Sequence, residues 1–356
     1  MKTAFYAPLK PPDHPVPSGD RTMARLLMRA LALGGHEVGL ASSLRVFLSA
    51  PDRGGLAEAR AAASLEIERI SGEWRRDGAP DLWLCYHPYY KSPDLLGPEL
   101  CRRFGLAYAT VEASWSRRRG HGDWGEAQRE VVAGLEQAAV NISMTARDAR
   151  GLAGLGLRIA RLSPFIDAAP FAGGARPQPG HLVTAAMMRR GDKLSSFLAL
   201  AEALALVPGD WRLSIAGDGP ARPEVEAAFA PLGPRVRFLG QLDQPALAAL
   251  FATGAIYLWP GHGEAYGLAA LEAQAAGLPV ISENTAGVPE VLRDGVTGLL
   301  TPEREVPAYA AAVAGLLADP ARRDAMALAA RSFAGQERSL GRAAVTLGAI
   351  LDEAMR

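Results

Sequence analysis

The sequence predicts an α/β protein built from two doubly wound, Rossmann-like domains. Short apolar segments typical of buried strands alternate with helical segments through most of the chain. The alternation stops in a segment rich in proline and glycine, residues 162–180, and then starts again. With 356 residues, the chain is also longer than a single core usually supports. Strands that alternate with helices favour parallel sheets covered on both faces, so we expect one such sheet in each half.

The N-terminal half opens with a strand–helix–strand unit. The strand "TAFYAP" precedes a proline-rich loop and the helical segment "DRTMARLLMRALALGG". Asp20 is a candidate cap for this helix, and Gly34 with Gly35 ends it. Its apolar stripe consists of Met23, Leu26, Leu27, Ala30 and Leu31. Further strands are expected in "HEVGLAS", "DLWLCY", "LAYATVEA" and "AVNISM".

The C-terminal half repeats the pattern and becomes purely helical near residue 305. Strands are expected in "HLVTAAM", "WRLSIAG", "VRFLG", "AIYLWP" and "LPVIS". The helices between them are expected at 194–206, 224–230, 245–252 and from about Tyr266. These signals predict an N-terminal domain over residues 1–165, a linker over 166–180 and a C-terminal domain over 181–338. The carboxyl ends of the strands are expected to line a cleft between the domains.

Charge and cysteine content exclude several functional classes. Lys plus Arg and Asp plus Glu each total 38, so no overall field attracts nucleic acid, and no such partner is expected. Residues 1–165 carry 22 basic and 18 acidic residues, which permits peripheral contact with an anionic acceptor or membrane surface. Cys85 and Cys101 fit no metal-binding spacing and favour a reducing cytoplasm. We expect a cytoplasmic protein, because no signal-peptide h-region and no apolar run of ~20 residues is present.

Two glutamates in "HGEAYGLAALEAQAAGLPV" are the first candidates for chemistry. Glu264 is expected in the loop before a helix and Glu272 inside that helix. Their separation of roughly 12 Å along the axis is too long for both to bind one metal ion. It suits the two ends of an extended ligand, with phosphates held by backbone N–H groups at residues 265–268. A ligand with hydroxyls at both ends and phosphates between them is a nucleotide sugar.

The competing interpretation is purely structural. Glu264 would then be an acid at a helix N-terminus, and Glu272 a solvated side chain. Glu272, however, lies in the almost wholly apolar segment "LAALEAQAAGLPV", where an unpaired carboxylate costs several kcal/mol. This context favours a ligand for the pair.

A longer stretch resembles a known family. "GEAYGLAALEAQAAGLPVISENTAGVPEVLRDGVTGLL" resembles the signature of retaining GT-B glycosyltransferases, the glycosyl transferases group 1 (family 4-like). The segments "AGDGP", "VRFLGQL", "LSPFID" and "GGHEV" support the likeness, which is strong in the C-terminal half and holds only in outline in the N-terminal half. The resemblance implies a GT-B fold, with a final helix at 339–356 that crosses back to the first domain.

The resemblance also implies roles for individual residues. Glu264 would hold hydroxyls of the donor sugar, and Glu272 those of the ribose. The backbone at Leu239 and Gly240 would frame the nucleobase. The backbone amides at Tyr266, Gly267 and Leu268 would face the sugar and diphosphate, and Gly19 would close a loop against the donor phosphate. Gly217 is a further donor-binding position.

The sequence departs from the family pattern at the diphosphate site. The family has an arginine, four intervening residues and a lysine after the first strand of its second domain. In "TAAMMRRGDKLSS", Lys193 occupies the lysine position, but Met188 occupies the arginine position. Arg189 or Arg190 would supply the missing charge, since a cation must neutralise the leaving diphosphate. Alternatively, both arginines belong to a solvated loop.

A second departure concerns the acceptor side. Where the family often has a histidine after a strand, this sequence has Glu112, and His87 in "CYHPYY" is an alternative. A structural role for either residue is the simpler interpretation.

Together these features predict a retaining, metal-independent glycosyltransferase. It would move a sugar from a UDP- or GDP-linked donor to a hydroxyl of a sugar, glycan or lipid-linked acceptor, without another cofactor. A sugar-nucleotide epimerase or hydrolase, or a non-catalytic nucleotide-sugar-binding protein, would use the same pocket. An NAD-dependent oxidoreductase fits poorly, since Arg222 replaces the third glycine of the motif in "IAGDGPAR".

Overall fold

A computed structural model describes residues 1–51, 53–120 and 122–356 of the chain. This part of the chain divides into two compact units, Met1–Ser163 with Leu340–Arg356, and Pro164–Ser339. Within the described residues, each unit contains one sheet of six strands whose neighbours are all parallel. The α/β class and the parallel sheets predicted from the alternation of strands and helices are confirmed.

The first unit has a sheet with the strand order β2-β1-β3-β4-β5-β6. Its strands are β1 (Lys2–Tyr6), β2 (Glu37–Ser42), β3 (Leu82–Tyr86), β4 (Ala107–Val111), β5 (Val140–Ser143) and β6 (Ile159–Arg161). Its first helices are α1 (Gly19–Leu33), α2 (Arg53–Asp77), α3 (Gly97–Phe104), α4 (Gly125–Gln137) and α5 (Ala146–Ala153). Each parallel connection needs a crossover, and the helices provide it.

The second unit has a sheet with the strand order β12-β11-β10-β7-β8-β9. Its strands are β7 (His181–Ala185), β8 (Arg212–Ala216), β9 (Val236–Gly240), β10 (Ile256–Leu258), β11 (Val280–Glu283) and β12 (Gly298–Thr301). Its helices are α6 (Asp192–Ala205), α7 (Arg222–Phe229), α8 (Gln244–Thr253), α9 (Leu268–Ala275), α10 (Val306–Ala318) and α11 (Pro320–Ser332). The last helix of the chain, α12 (Leu340–Ala354), belongs to the first unit and packs against α1.

The central strands are buried on both sides, as parallel sheets covered by helices require. Every residue of β3 and of β10 is buried. In the first unit, an aromatic cluster packs beneath the sheet, with the rings of Tyr6 and Trp83 5.5 Å apart. Burial of such side chains supplies most of the favourable free energy of folding.

The predicted linker, residues 166–180, lies in the second unit and packs against it. Phe171 is buried, with its ring 6.0 Å from that of Phe251 in α8. The backbone N–H groups of Arg176 and Gln178 donate to carbonyls at the end of α8. A large aromatic side chain in this segment gains more by packing than by remaining in solvent.

Two helix starts differ from the sequence prediction. Ser18, not Asp20, caps α1, because the Ser18 side chain accepts a hydrogen bond from Arg21 N at 3.2 Å. Asp20 therefore lies in the first turn, where its charge is free to interact elsewhere. Helix α9 begins at Leu268 rather than near Tyr266, since Gly267 adopts a φ of 87°. Among the described residues, no helix combines the length and the apolar character needed to span a membrane.

Candidate functional site

The first candidate residues meet where β10 ends. Trp259 follows β10, Glu264 lies in the loop between β10 and α9, and Lys193 lies in the first turn of α6. The Lys193 ammonium contacts Glu264 Oε1 in a salt bridge, and Trp259 Nε1 donates to the same oxygen at 2.8 Å. Lys193 Nζ also lies over the Trp259 ring, 5.3 Å from its centroid. Two donors thus orient one carboxylate, and two of the predicted catalytic residues, Lys193 and Glu264, are brought into contact.

The loop that carries Glu264 is tightly packed. Gly261 and Gly263 have φ values of 88° and 62°, and they form a turn between β10 and Glu264. A Cβ atom at Gly263 would lie 2.1 Å from the Asp192 carboxylate, and one at Gly287 would lie 1.4 Å from the Ala265 carbonyl oxygen. Side chains are therefore excluded at both glycines, because the loop lies directly against α6 and the segment after β11.

A buried histidine ties this loop to α6. His262 N donates to Ser196 Oγ at 3.0 Å, and His262 Nδ1 lies 2.8 Å from Ser195 Oγ. On its other side, His262 Nε2 lies 3.1 Å from Glu283 Oε2 at the end of β11. Since an ionised carboxylate only accepts hydrogen bonds, this geometry favours a proton on Nε2. His262 is a site residue that was not predicted from the sequence, although its position two residues before Glu264 is a usable signal.

The second glutamate lies within α9. Glu272 is half-buried, and in the described part of the chain its carboxyl makes no hydrogen bond and no ion pair. Burial raises its pKa from 4.5 to about 7. Burial and then the charges of Glu264 and Glu272 raise the pKa of Tyr257, which shows that both acids are near one strand. Glu272 thus lies in a largely buried helix, and within the described residues its carboxyl has no partner.

The start of α9 provides backbone donors between the two acids. The amides of Gly267 and Leu268 precede the first intrahelical hydrogen bond, and within the described residues neither donates to another backbone group. Amides in this position carry partial positive charge and bind anions such as phosphate. Tyr266, immediately before them, is buried.

Two of the glycines predicted to bind the donor, Gly217 and Gly240, meet at the ends of β8 and β9, whereas Gly19 begins α1 and Gly267 precedes α9. Gly217 N donates to Gly240 O at 2.7 Å, so the two turns are joined. A Cβ atom at Gly217 would lie 1.9 Å from the Ala186 carbonyl oxygen, which makes glycine necessary there. Leu239 is half-buried beside Gly240. These positions and the Glu264 loop all follow strands of one parallel sheet, at its carboxyl edge.

The residues at and beside the family's arginine position, Met188, Arg189 and Arg190, have different environments in the structure. Met188 is fully buried, and its backbone N–H and C=O bond Asp218 O and Ala221 N. Arg190 is exposed and forms a salt bridge of 2.9 Å with Glu224. Arg189 is also exposed, and no ion pair of its side chain occurs within the described residues. The arginine position of the family is thus part of the core here.

In the first unit, His87 and Glu112 follow the adjacent strands β3 and β4. Both have a φ of 58°, a left-handed conformation that costs on the order of 1 kcal/mol for a residue with a side chain. His87 N donates to Val111 O, and Glu112 N donates to Ile142 O. Strain at equivalent positions of neighbouring strands is typical of functional sites, and it turns both residues out of the regular sheet.

His87 has an acidic partner. His87 Nδ1 lies 3.1 Å from Asp20 Oδ1 in the first turn of α1, next to Gly19. Burial alone would lower the pKa of His87, but the hydrogen bond to Asp20 and the charge of Glu112 raise it to about 9. Burial likewise opposes ionisation of Asp20, yet the hydrogen bond and charge of His87 lower its pKa. The pair is therefore ionic at neutral pH, a role for Asp20 that the sequence prediction missed.

The acidic, histidine and cysteine side chains of the described residues do not form a group of three or more that could hold a metal ion. The two cysteines are free and buried. Burial raises the pKa of both thiols.

The match to a known protein family falls within the second unit. The family model described as "Glycosyl transferases group 1" matches residues 180–319. A "D-inositol 3-phosphate glycosyltransferase" of Mycobacterium avium is 43% identical over 108 residues, 30% of this chain and 26% of that protein. An "Alpha-D-kanosaminyltransferase" of Streptomyces kanamyceticus is 32% identical over 146 residues, 40% of this chain and 38% of that protein. The chain thus spans between about a quarter and two fifths of the length of these curated relatives.

Solved structures resemble the whole chain. A sucrose-phosphate synthase from Thermosynechococcus elongatus has a TM-score of 0.77 at 19% identity, covering 100% of this chain and 99% of that one. The HepE protein of Anabaena, solved in complex with UDP, has a TM-score of 0.74 at 16% identity, covering 99% and 100%. At these identities the likeness establishes the fold, which is GT-B-like, as the sequence predicts. Residues 180–319 thus match the glycosyl transferases group 1, and the chain as a whole has a GT-B-like fold.

Proposed function

We propose that this protein is a retaining glycosyltransferase that moves a sugar from a nucleoside diphosphate sugar to a hydroxyl acceptor. The observation that carries the proposal is the convergence of Lys193, Trp259 and Glu264 beside the N-terminus of α9, with Glu272 one turn inside that helix. From the loop into the helix, the chain presents Glu264, then the amides of Gly267 and Leu268, and then Glu272. Lys193 adds a cation in contact with Glu264. A donor with a sugar, a diphosphate and a ribose matches that order.

In this proposal, Glu264 accepts hydrogen bonds from hydroxyls of the transferred sugar. Its carboxylate is already oriented by Trp259 and Lys193, so little reorganisation is needed when the donor binds. Glu272 accepts hydrogen bonds from the ribose hydroxyls. The ribose thus supplies the hydrogen-bond partner that its half-buried carboxyl lacks among the described residues. The backbone at Leu239 and Gly240 frames the nucleobase.

Negative charge develops on the diphosphate as the glycosidic bond breaks. Lys193 stabilises that charge, together with the amides of Gly267 and Leu268 at the positive end of the α9 dipole. The Lys193 ammonium contacts Glu264 in the free protein and would share its donors between Glu264 and a phosphate oxygen when the donor is bound. Because Met188 is buried at the family's arginine position, Arg189 is the nearby cation that we assign to this role.

The acceptor hydroxyl attacks from the face that the diphosphate leaves, and it loses its proton to the departing phosphate oxygen. This route needs no protein nucleophile and gives retention of the anomeric configuration. The positive charge at the leaving group comes from side chains and helix amides, so we propose that the reaction is independent of divalent metal. UDP-glucose is the first donor to test, since HepE of Anabaena has been solved with UDP and with UDP-glucose.

A non-catalytic nucleotide-sugar-binding protein is the alternative that one observation favours. The arginine that neutralises the leaving group in the family is absent, because Met188 is part of the core. Such a protein would keep the Glu272 contact to ribose and would bind the donor without cleaving it.

The two possibilities are separated by incubating the protein with UDP-glucose or GDP-mannose, with water as acceptor and with EDTA present. Transfer to water releases one UDP or GDP per free sugar, and proton NMR of the first turnovers reports the anomeric configuration. We expect retention and no loss of rate with EDTA. A binding protein would protect the donor and release no nucleotide, and an inverted product would contradict the mechanism.

Binding is measured separately by calorimetry with UDP and GDP. Glu272→Gln should weaken nucleotide binding by a few kcal/mol, since ribose hydrogen bonds to a charged acceptor are lost. Glu202→Gln is the matched control, because Glu202 is an exposed acid on the outer face of α6. Equal affinities in the two variants would refute the ribose role.

A further inference from the structure

A surface of the first unit combines aromatic rings with cations. We define the cation–aromatic surface as Tyr90, Lys91, Arg119 and Trp124. The Arg119 guanidinium lies over the Tyr90 ring, 4.7 Å from its centroid, and Lys91 Nζ lies 5.5 Å from the centroid of Trp124. The Tyr90 and Trp124 rings meet edge to face at 4.9 Å. Two cations are therefore held on one continuous aromatic platform.

The platform leads back to the strand ends that carry His87. The ring of His87 lies 5.2 Å from that of Tyr89, and the ring of Tyr89 lies 5.3 Å from that of Tyr90. Tyr89, Tyr90 and Trp124 are all half-buried, so each keeps part of its surface open. The cation–aromatic surface is thus continuous with the carboxyl edge of the sheet, where ligands of doubly wound sheets bind.

The cations of this surface form no ion pair with a carboxylate within the described residues. Within the described residues, Lys91 and Arg119 form no salt bridge, and neither do the neighbouring Arg117 and Arg118. Elsewhere in the first unit, several arginines are paired with carboxylates, among them Arg60, Arg69, Arg102, Arg103 and Arg158. Asp123 is the acid among the described residues between Ser116 and Trp124. Positive charge is therefore concentrated here and left without a carboxylate partner.

A second observation extends this charge to a neighbouring segment. The Arg45 guanidinium lies 4.8 Å from the ring centroid of Phe47, which is 40% exposed. Leu48 N donates to Lys91 O at 2.7 Å, and Ser92 Oγ donates to Val46 O at 2.6 Å. These hydrogen bonds join the segment of Arg45 and Phe47 to the segment of Tyr90 and Lys91, so the same combination of ring and cation occurs on adjoining backbone.

We propose that the cation–aromatic surface is the acceptor subsite of the transferase proposed above, and that it selects a small sugar carrying a phosphate or carboxylate group. Arg119 and Lys91 would bind the anion by charge-assisted hydrogen bonds, while exposed parts of the aromatic rings contact the sugar. A guanidinium already held over a ring loses little conformational freedom on binding and keeps its N–H donors for an oxyanion. This assignment rests on the proposed function, but binding itself does not require a donor.

The experiment measures binding to the full chain without nucleotide, by calorimetry and ligand-observed NMR. The probes are glucose 6-phosphate, glucuronic acid and glucose. We expect both anions to bind at least fivefold more tightly than glucose, and their advantage to shrink between 50 and 200 mM NaCl. An affinity for glucose equal to that for the anions would overturn the proposal.

Variants connect this binding to the named residues. The double variant Lys91→Gln and Arg119→Gln should weaken binding of the anionic sugars at least tenfold. Arg102→Gln is the control, because it removes another exposed arginine of the same unit, one that is paired with Glu99. Equal losses in the double variant and the control would overturn the assignment. UDP affinity, which depends on the second unit, should stay unchanged in all of them.

A lipid surface is the rival ligand for a patch of cations and aromatic rings. Sedimentation with phosphatidylglycerol and phosphatidylcholine vesicles distinguishes it. Vesicle binding that is lost in the double variant, in a protein that binds neither anionic sugar, would overturn the acceptor proposal. Failure of UDP to bind would instead contradict the proposed function and leave selective binding of anionic sugars intact.

Discussion

His262 Nε2 lies 3.1 Å from Glu283 Oε2, and both side chains are almost fully buried, with 4% and 1% of their surfaces exposed. Glu283 also accepts a hydrogen bond from Arg304 N at 2.9 Å, so its carboxylate joins β11 to the segment before α10. Ser195 and Ser196 bind the other side of His262. One imidazole thus links α6, the Glu264 loop and β11, and it fixes the place of the loop that carries Glu264.

Replacing His262 should destabilise the second unit. His262→Ala leaves Glu283 buried without one of its donors, and we expect a loss of about 1–3 kcal/mol in the free energy of unfolding, measured with urea. Glu283→Gln keeps an acceptor for both donors and should cost less. A loss below 0.5 kcal/mol for His262→Ala, on the order of a surface substitution, would show that the histidine is not a structural link.

Nucleotide affinity should depend on the ionisation of Glu272. Its pKa is about 7 in the free protein because of burial, and ribose hydroxyls bind best to the carboxylate. Protonation below pH 7 therefore competes with binding. We expect the affinity for UDP to rise roughly tenfold between pH 6 and pH 8, measured by calorimetry. In Glu272→Gln the profile should become flat; a profile that is equally steep in this variant would assign the pH dependence to another group.

The pair of His87 and Asp20 should stabilise the first unit below pH 9. The folded pKa of His87, about 9, lies above its ordinary value of 6.5. The stabilisation is therefore fully present below pH 6.5 and lost as pH rises through 9. Asp20→Asn should lower the free energy of unfolding by about 1–3 kcal/mol at pH 6.5 and have little effect near pH 10. Urea unfolding at both pH values tests this. A loss that is equal at both would argue against an ionic pair.

The two exposed arginines should differ in catalysis. Arg190 is already paired with Glu224, whereas Arg189 lacks an ion pair within the described residues. If Arg189 replaces the family's cation, Arg189→Gln should reduce kcat for donor cleavage by about a hundredfold, the scale of losing one group that stabilises transition-state charge. Arg190→Gln, the neighbouring control, should change kcat less than threefold. Equal effects of the two substitutions would remove the distinction.

The sequence predicted most of the strands because central strands buried on both faces appear as short, continuous apolar runs. The segments "DLWLCY" and "AIYLWP" contain the central strands β3 and β10, which are buried throughout. The edge strands β6 and β12 were missed, since "IAR" and "GLLT" are too short to show a period. The observed start of α9 lies about two residues after the predicted one. The positive φ of Gly267 extends the loop beyond the point at which the sequence pattern places the helix start.

The candidate site was predictable to the extent that its residues lie close together in the chain. Glu264, Glu272 and the amides before α9 form one segment, and the family signature marks it. The partners of these residues come from other elements: Trp259 could be guessed from its position, but Ser195, Glu283 and their link to His262 could not. Similarly, residues 20 and 87 give no sign in the sequence that they form a pair.

The sequence by itself determined the α/β class, the parallel sheets and the segment that carries the two glutamates, because burial and backbone turns act locally and leave periodic patterns. Tertiary structure alone decided that Met188 belongs to the core, that Asp20 holds His87 and that Lys91 and Arg119 lie on one aromatic platform. These facts depend on which side chains distant elements bring within a few ångströms, because hydrogen bonds form only at that range and charge–charge interactions are strongest there.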